Sequence, residues 1–253
     1  MNIHGRIEYR SLSVGAITGD ETFRIEQLRE GGKRLEAVCQ LLDREIERRV
    51  ELEVDPSFAP LSASVWSRQG GSPPEHARYR FGPDVLVVET LNVDDGDPDD
   101  LSRQDFWDRV EHPVSTRLDS FIPHPLIADG WQSGSHPGPG GPPVHTYMTA
   151  SSTPQEDGSG GLEAVIVPRT LEFAGAVRLE PPVLEETEAL HYRMLCSRPD
   201  WEPMEVLVRA RDRLLLRASW PVLDAYYELV EYEERTPSHV DGQGLPIVRS
   251  ADG

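Results

Sequence analysis

Apolar and polar residues alternate with a period of two along most of this chain, the signature of strands with one buried face. Ile3, Ile7 and Tyr9 alternate with polar neighbours, and Phe23 and Ile25 do so after a turn expected at Gly19-Asp20. Residues 35–42, LEAVCQLL, form a short apolar run. Over 46–54 a helical stripe through Val38, Leu42, Ile46 and Val50 competes with a two-residue alternation. Glu51 and Glu53, set between Val50, Leu52 and Val54, favour the strand. Three more alternating runs follow at 61–67, 77–81 and 85–91, the last two separated by the turn residues Gly82-Pro83-Asp84.

The pattern then changes. Residues 92–100, NVDDGDPDD, read as an acidic loop, and 101–110 as a short helix capped by Asp99 or Asp100 that plugs or covers one end of a barrel. Residues 132–161 are dominated by Gly, Ser and Pro and read as a connection between two halves. Alternation resumes over 162–167, 171–179, 190–196, 204–210, 214–220 and 226–232, with Gly175 marking a bulge and Arg211-Asp212-Arg213 a hairpin turn. The tail from Thr236 is polar. The expected organisation is a first β half over 1–131, the connection 132–161, a second β half over 162–235 and a flexible tail over 236–253.

A motif recurs across these halves. DPSFAPLSASV at 55–65 aligns with RPDWEPMEVLV at 198–208, so that Pro56, Phe58 and Pro60 match Pro199, Trp201 and Pro203. In both copies an aromatic residue and prolines lead into a strand-like run, which suggests related halves. About seven strands in the first half and six in the second, joined by short turns, imply an all-β fold. Closing them into one sheet would remove exposed edges. Period-two alternation does not separate a closed barrel from two packed sheets.

The runs RLEPPVLEETEALHYRML and LLLRASWPVLDAYYELVEYEE resemble bacterial proteins with a duplicated, lipocalin-like antiparallel β-fold. The resemblance covers the last third of the chain most closely and the first half loosely. It implies a barrel or curved sheet with an apolar cavity and transfers no catalytic residue.

Charge narrows the function classes. A formal charge of −19 over 253 residues argues against nucleic acid and against anionic membrane surfaces, both of which need basic patches. Lys33 is the only lysine, so Schiff-base chemistry rests on one residue, and its Gly31-Gly32 context reads as a solvated turn. Cys39 and Cys196 lie in apolar runs and read as buried thiols, and no zinc-ligand spacing is present. No cofactor fingerprint appears, and the acidic run from Asp94 lacks the glycine of a calcium loop. With no apolar leader or spanning run, the expected location is the cytoplasm. The charges leave the oligomeric state open.

Reactive side chains concentrate at the junction of the halves. His124 and Asp129 are candidates for a general base and its orienting partner, with His145 and Tyr147 as further acid–base candidates. Trp131, Tyr227 and Trp220 are candidate ligand contacts. The competing structural reading has Ile127 and Trp131 anchoring an ordered connection to the barrel. His191 and Arg193 read as a solvent-facing pair. Two functions are compatible with this pattern. One is binding of a hydrophobic small molecule in a β-barrel cavity, with cofactor-free acid–base catalysis of the isomerase, cyclase or hydratase type as its extension. The other is a non-catalytic interaction or scaffold protein with an acidic surface.

Overall fold

The computed structural model describes residues 2–92, 107–114, 119–124, 126–136, 138, 140–141, 144–150, 161–195 and 201–235. Its strands are β1 (Asn2–Ser11), β2 (Ile17–Gln27), β3 (Lys33–Leu41), β4 (Ile46–Val54), β5 (Pro60–Gln69), β6 (Glu75–Phe81), β7 (Val85–Asn92) and β8 (Asp108–Pro113), followed by β9 (Ser120–Ile122), β10 (Val144–Ala150), β11 (Val165–Leu179), β12 (Thr187–Leu195), β13 (Met204–Arg209), β14 (Leu215–Trp220) and β15 (Ala225–Arg235). One five-residue helix, α1 (Ile127–Trp131), continues into a 3-10 turn over Gln132–Ser135.

All strands join one 15-stranded sheet in the order β8-β7-β6-β5-β4-β3-β2-β1-β15-β14-β13-β12-β11-β10-β9. Every neighbouring pair is antiparallel except β9–β10, which is parallel. The chain starts at the centre and meanders to one edge. It then crosses to the opposite edge and meanders back until β15 pairs with β1. The two halves are thus continuous, joined at their first and last strands.

Alternation does what the sequence pattern implies. In β4 Ile46, Arg48, Val50, Leu52 and Val54 are buried, and Arg49 and Glu51 between them are exposed. Gly175 sits where the β11–β12 register shifts, a bulge at φ 140°. Gly19-Asp20 is not a turn: both residues lie inside β2, with Gly19 opposite Tyr9. The turn comes earlier, over 12–16, where Ser11 Oγ, Ser13 Oγ and the Ser13 N–H donate to Asp224.

The helix expected over 101–110 does not include its last three residues. Residues 108–110 open strand β8, and 101–106 lie outside the described residues, as does the acidic run 93–100. The helix that enters the fold is α1, and all five of its residues are buried. The connection expected over 132–161 is not all loop. It contains the 3-10 turn, with Gln132 and Ser133 buried, and strand β10, paired with β11.

The sheet wraps around residues 119–124 and 126–136, which form the plug of the fold. Phe121 packs on Tyr79 of β6, with ring centroids 4.8 Å apart. The Pro123 carbonyl accepts from Arg48 of β4 at 3.3 Å. His136, at the other end, packs on Phe173 of β11 and Tyr192 of β12. Strands near both edges of the linear order therefore touch one short segment, which requires a strongly curved sheet. The Tyr79 hydroxyl donates to the Leu162 carbonyl just before β11, tying the halves on this side as well.

Candidate functional site

Where the plug meets the sheet, four sequence candidates converge. Asp129 and Trp131 lie on α1, His124 just precedes it, and Tyr227 reaches in from β15. Tyr9 of β1 joins them, edge-on to Tyr227 at 4.9 Å and to His124 at 6.4 Å. Trp131 packs on Phe58 at 5.9 Å. The sequence motif around Phe58 explains that contact. The Asp55 carboxylate accepts the Ser57 and Ala59 N–H groups and the Ser57 hydroxyl, an Asx turn that holds Phe58 at φ 66°. The stretch aligned with it does another job, since Trp201 packs on Trp220 at 5.8 Å on the way into β13.

Two glycines let the plug seat. A Cβ on Gly134 would lie 2.4 Å from the Phe58 ring, and one on Gly130 would lie 2.7 Å from the Arg213 carbonyl. Lys33 is half-buried rather than freely solvated, with Nζ 3.6 Å above the Phe58 ring, and burial brings its amine down to about 8.

The organising residue is one that sequence reasoning passed over. Glu21 of β2 is fully buried. Its carboxylate accepts the N–H groups of Leu126 at 2.6 Å and Ile127 at 2.8 Å, and Tyr9 donates its hydroxyl to it. Leu126 stands at the N-cap of α1 without a side-chain cap, so Glu21 satisfies from a distance the donors that a short helix leaves open. Burial raises the Glu21 carboxyl to about 7 against these hydrogen bonds, and nearby Asp129 raises it further. In the sequence Glu21 is one glutamate among many in an alternating run. Only its inward register position marks it, opposite Ile7 and Cys39.

The same burial shapes its neighbours. The Cys39 thiol is pushed up to about 12 by burial and by Glu21. The Tyr9 and Tyr227 phenols are raised, chiefly by burial. His124 is brought down to about 3 by burial and by Arg48 and Arg44. Its Nε2 has no hydrogen-bond partner, while Asp129 accepts from Gln132 Nε2 at 2.7 Å. An imidazole held neutral to about 3 is a weak base at neutral pH. Trp131 Nε1, Gln132 Oε1 and His136 Nε2 are also buried without partners.

The remaining sequence candidates lie elsewhere. Trp220 is half-buried at the end of β14. His145 and Tyr147 stand on β10 opposite Thr170 and Pro168, and their side chains, like Cys196, lie outside the described residues. His191 is part-exposed on β12 and bonds Glu205 at 2.5 Å, with Arg193 beside it.

A further cavity lies on the other face of the sheet. A groove of about 750 Å³ crosses the outer side of β1–β6. Strand register explains its lining: Thr22, Val38, Arg49, Trp66 and His76 are successive cross-strand neighbours in one row, and His4, Arg24, Glu36, Glu51 and Ser64 in the next. Along their strands these residues alternate with core residues such as Phe23, Ala37, Val50 and Val65. His76 is only 6% exposed, with Nε2 2.7 Å from Ser64 Oγ and Nδ1 without a partner. Burial and Arg78 bring it down to about 4, so it is neutral at pH 7. Trp107 lies across the same face, 5.2 Å from His76 and over the Arg78 guanidinium at 4.3 Å. Arg24 Nε is likewise buried and unpaired.

Among the described residues no group of three or more His, Cys, Asp or Glu is placed to hold a metal, and no helix is long and apolar enough to cross a membrane.

No protein-family model matches the chain, and no curated protein does. Among solved structures it is similar to a β-barrel-like protein of the domain of unknown function DUF1849 from Brucella abortus. That match has 9% identity and a TM-score of 0.56, and covers 93% of this chain and 97% of that one. A DUF1089 family protein from Pseudomonas aeruginosa aligns over 80% of this chain and 90% of its own, with 9% identity and a TM-score of 0.45. The first likeness shows the β-barrel-like fold; the sheet here is curved and, among the described residues, no pairing joins its edge strands β8 and β9.

Proposed function

We propose that the protein binds a small organic molecule, and that it does so in the groove on the outer face of β1–β6 rather than within the wrapped interior. One observation carries this reading. A cavity of about 750 Å³, within the range of ligand sites, borders His76, a side chain that is nearly sealed and keeps one ring nitrogen without a partner. Val38 and Trp66 supply an apolar floor, and Thr22, His76 and Ser64 supply orienting polar groups. The interior candidates are assigned a structural role. Glu21 serves as a cap, Trp131 and Ile127 as anchors, and the low basicity of His124 argues against acid–base chemistry there.

Native mass spectrometry of gently purified protein tests this. The wild type is expected to carry an added small-molecule mass that Ser64→Trp, which fills the groove, loses. A mass retained by Ser64→Trp would move the site elsewhere, with the plug as the first alternative. No added mass in either protein, and none after incubation with a small-molecule library, would favour the interaction-protein reading.

A further inference from the structure

Lys33, the only lysine of the chain, opens β3 at an inward register position. Leu35, Ala37 and Cys39 follow it on the same side and are buried. Its ammonium rests on the Phe58 ring, and Phe58 in turn packs on Trp131 of the plug. The charged groups that act on it are Asp212 and Arg213, from the turn between β13 and β14. The Asp212 carboxylate is already committed: Oδ1 accepts from Arg209 Nε at 2.9 Å and Oδ2 from Arg209 Nη2 at 2.6 Å. Arg213 donates to the Tyr192 hydroxyl at 3.2 Å. Among the described residues neither Lys33 nor Arg213 makes an ion pair, in a chain whose Asp and Glu outnumber Lys and Arg by 44 to 25. Arg209 and Asp212 neutralise each other, so the half-buried amine and the Arg213 guanidinium are left as two cations without an acid of their own.

Such a site favours the uncharged amine. Burial lowers Lys33 to about 8, with Asp212 opposing the shift and Arg213 adding to it. The neutral form carries the lone pair that attacks electrophilic carbon. Charge then selects the electrophile. An aldehyde would give an imine, neutral or positive, and leave Arg213 without an anion. Carbon dioxide gives an anion. We propose that Lys33 is a carbon dioxide site, converted reversibly to a carbamate that pairs with Arg213. The amine nitrogen bonds to the carbon of CO2, one C=O bond yields its electron pair to oxygen, and the nitrogen gives up a proton to water. Nothing is oxidised or reduced, and starting from the ammonium two protons are released. Three cations and one anion, Lys33, Arg209, Arg213 and Asp212, become two of each. The new ion pair ties the start of β3 to the β13–β14 turn beside the plug.

The sole lysine makes the test unambiguous. The intact chain is equilibrated with carbon-13-labelled bicarbonate at pH about 8, observed by NMR, then trapped with triethyloxonium ion and mapped by peptide mass. The ethyl carbamate tag is expected on Lys33. Its occupancy should be at least about ten-fold that in the same chain unfolded in urea, where the amine returns to its ordinary value of 10.5. That comparison needs no variant. Lys33→Arg, which keeps a cation over Phe58, should leave only the α-amine signal. Arg213→Gln should weaken CO2 binding by about ten-fold, the size of one charge-assisted hydrogen bond. Circular dichroism checks that each variant is folded. A tag confined to the α-amine, or no more abundant on Lys33 in the folded chain than in the unfolded one, would overturn the site. Undiminished occupancy in folded Arg213→Gln would overturn the pairing on which the choice of CO2 rests.

Discussion

The plug and the outer groove both bury polar groups against the same strands, and they do so with opposite outcomes. On the inner face Glu21 has both carboxylate oxygens engaged by the protein's own N–H and hydroxyl groups. On the outer face, His76 is almost as well buried, but it borders an open volume of about 750 Å³ and keeps Nδ1 unused. The plug also carries unpaired atoms, on His124, Trp131, Gln132 and His136, and the groove of about 750 Å³ lies on the other side of the sheet. Burial of a reactive side chain is therefore a poor guide to function by itself. The useful distinction is whether there is room beside it for something other than protein.

Substitutions at the plug should dominate stability. Trp131→Ala removes a buried indole packed on Phe58 and is expected to cost about 3–5 kcal/mol in urea unfolding. A cost under about 1 kcal/mol would mean the plug is not held by packing. Gly134→Ala places a Cβ 2.4 Å from the Phe58 ring and should cost about 1–3 kcal/mol as the ring is pushed away. A neutral result would show that Phe58 yields freely.

The pH dependence sharpens the inner half of the comparison. The Glu21 carboxyl rises from 4.5 to about 7 in the fold, so its contribution is full below about 4.5 and is lost as pH rises through about 7. His124 falls from 6.5 to about 3, so its contribution is full above 6.5 and is lost as pH falls toward 3. The two trends oppose each other between pH 4.5 and 6.5. Glu21→Gln removes the first, and its urea midpoint should fall more steeply than that of the wild type on acidification from pH 7 to 4.5. Parallel curves for the two proteins would sink the assignment of Glu21 as a buried, raised carboxyl.

The smallest effect on stability belongs to the groove. Trp66→Ala lies on the solvent side of β5 and should shift unfolding by less than about 1 kcal/mol while abolishing ligand binding. If Trp66→Ala unfolded the protein as readily as Trp131→Ala, the two faces would not divide into structure and function as described.

Much of the fold was legible in the chain. The strand over 46–54, the bulge at Gly175 and the hairpin at 211–213 follow from alternation and turn chemistry, which are local properties. The misplaced elements share a cause. Gly19-Asp20 has turn residues, but pairing with β3 carries the strand through them, with a Cβ at Gly19 barred by the Gln40 carbonyl. Residues 127–131 are too few to show a helical period, and their helix is held by a carboxylate more than a hundred positions earlier.

The candidate site divides along the same line. His124, Asp129, Trp131 and Tyr227 were identifiable by type, and the structure does bring them together. The groove was not identifiable. Thr22, Val38, Arg49, Trp66 and His76 are scattered over five strands and become neighbours only through cross-strand register. By itself the sequence determined that the chain is strand after strand with one buried face, because that pattern repeats every two residues. The tertiary structure alone decided which segment fills the interior and which exposed residues meet across the outer face, because both depend on pairing between positions that no local period connects.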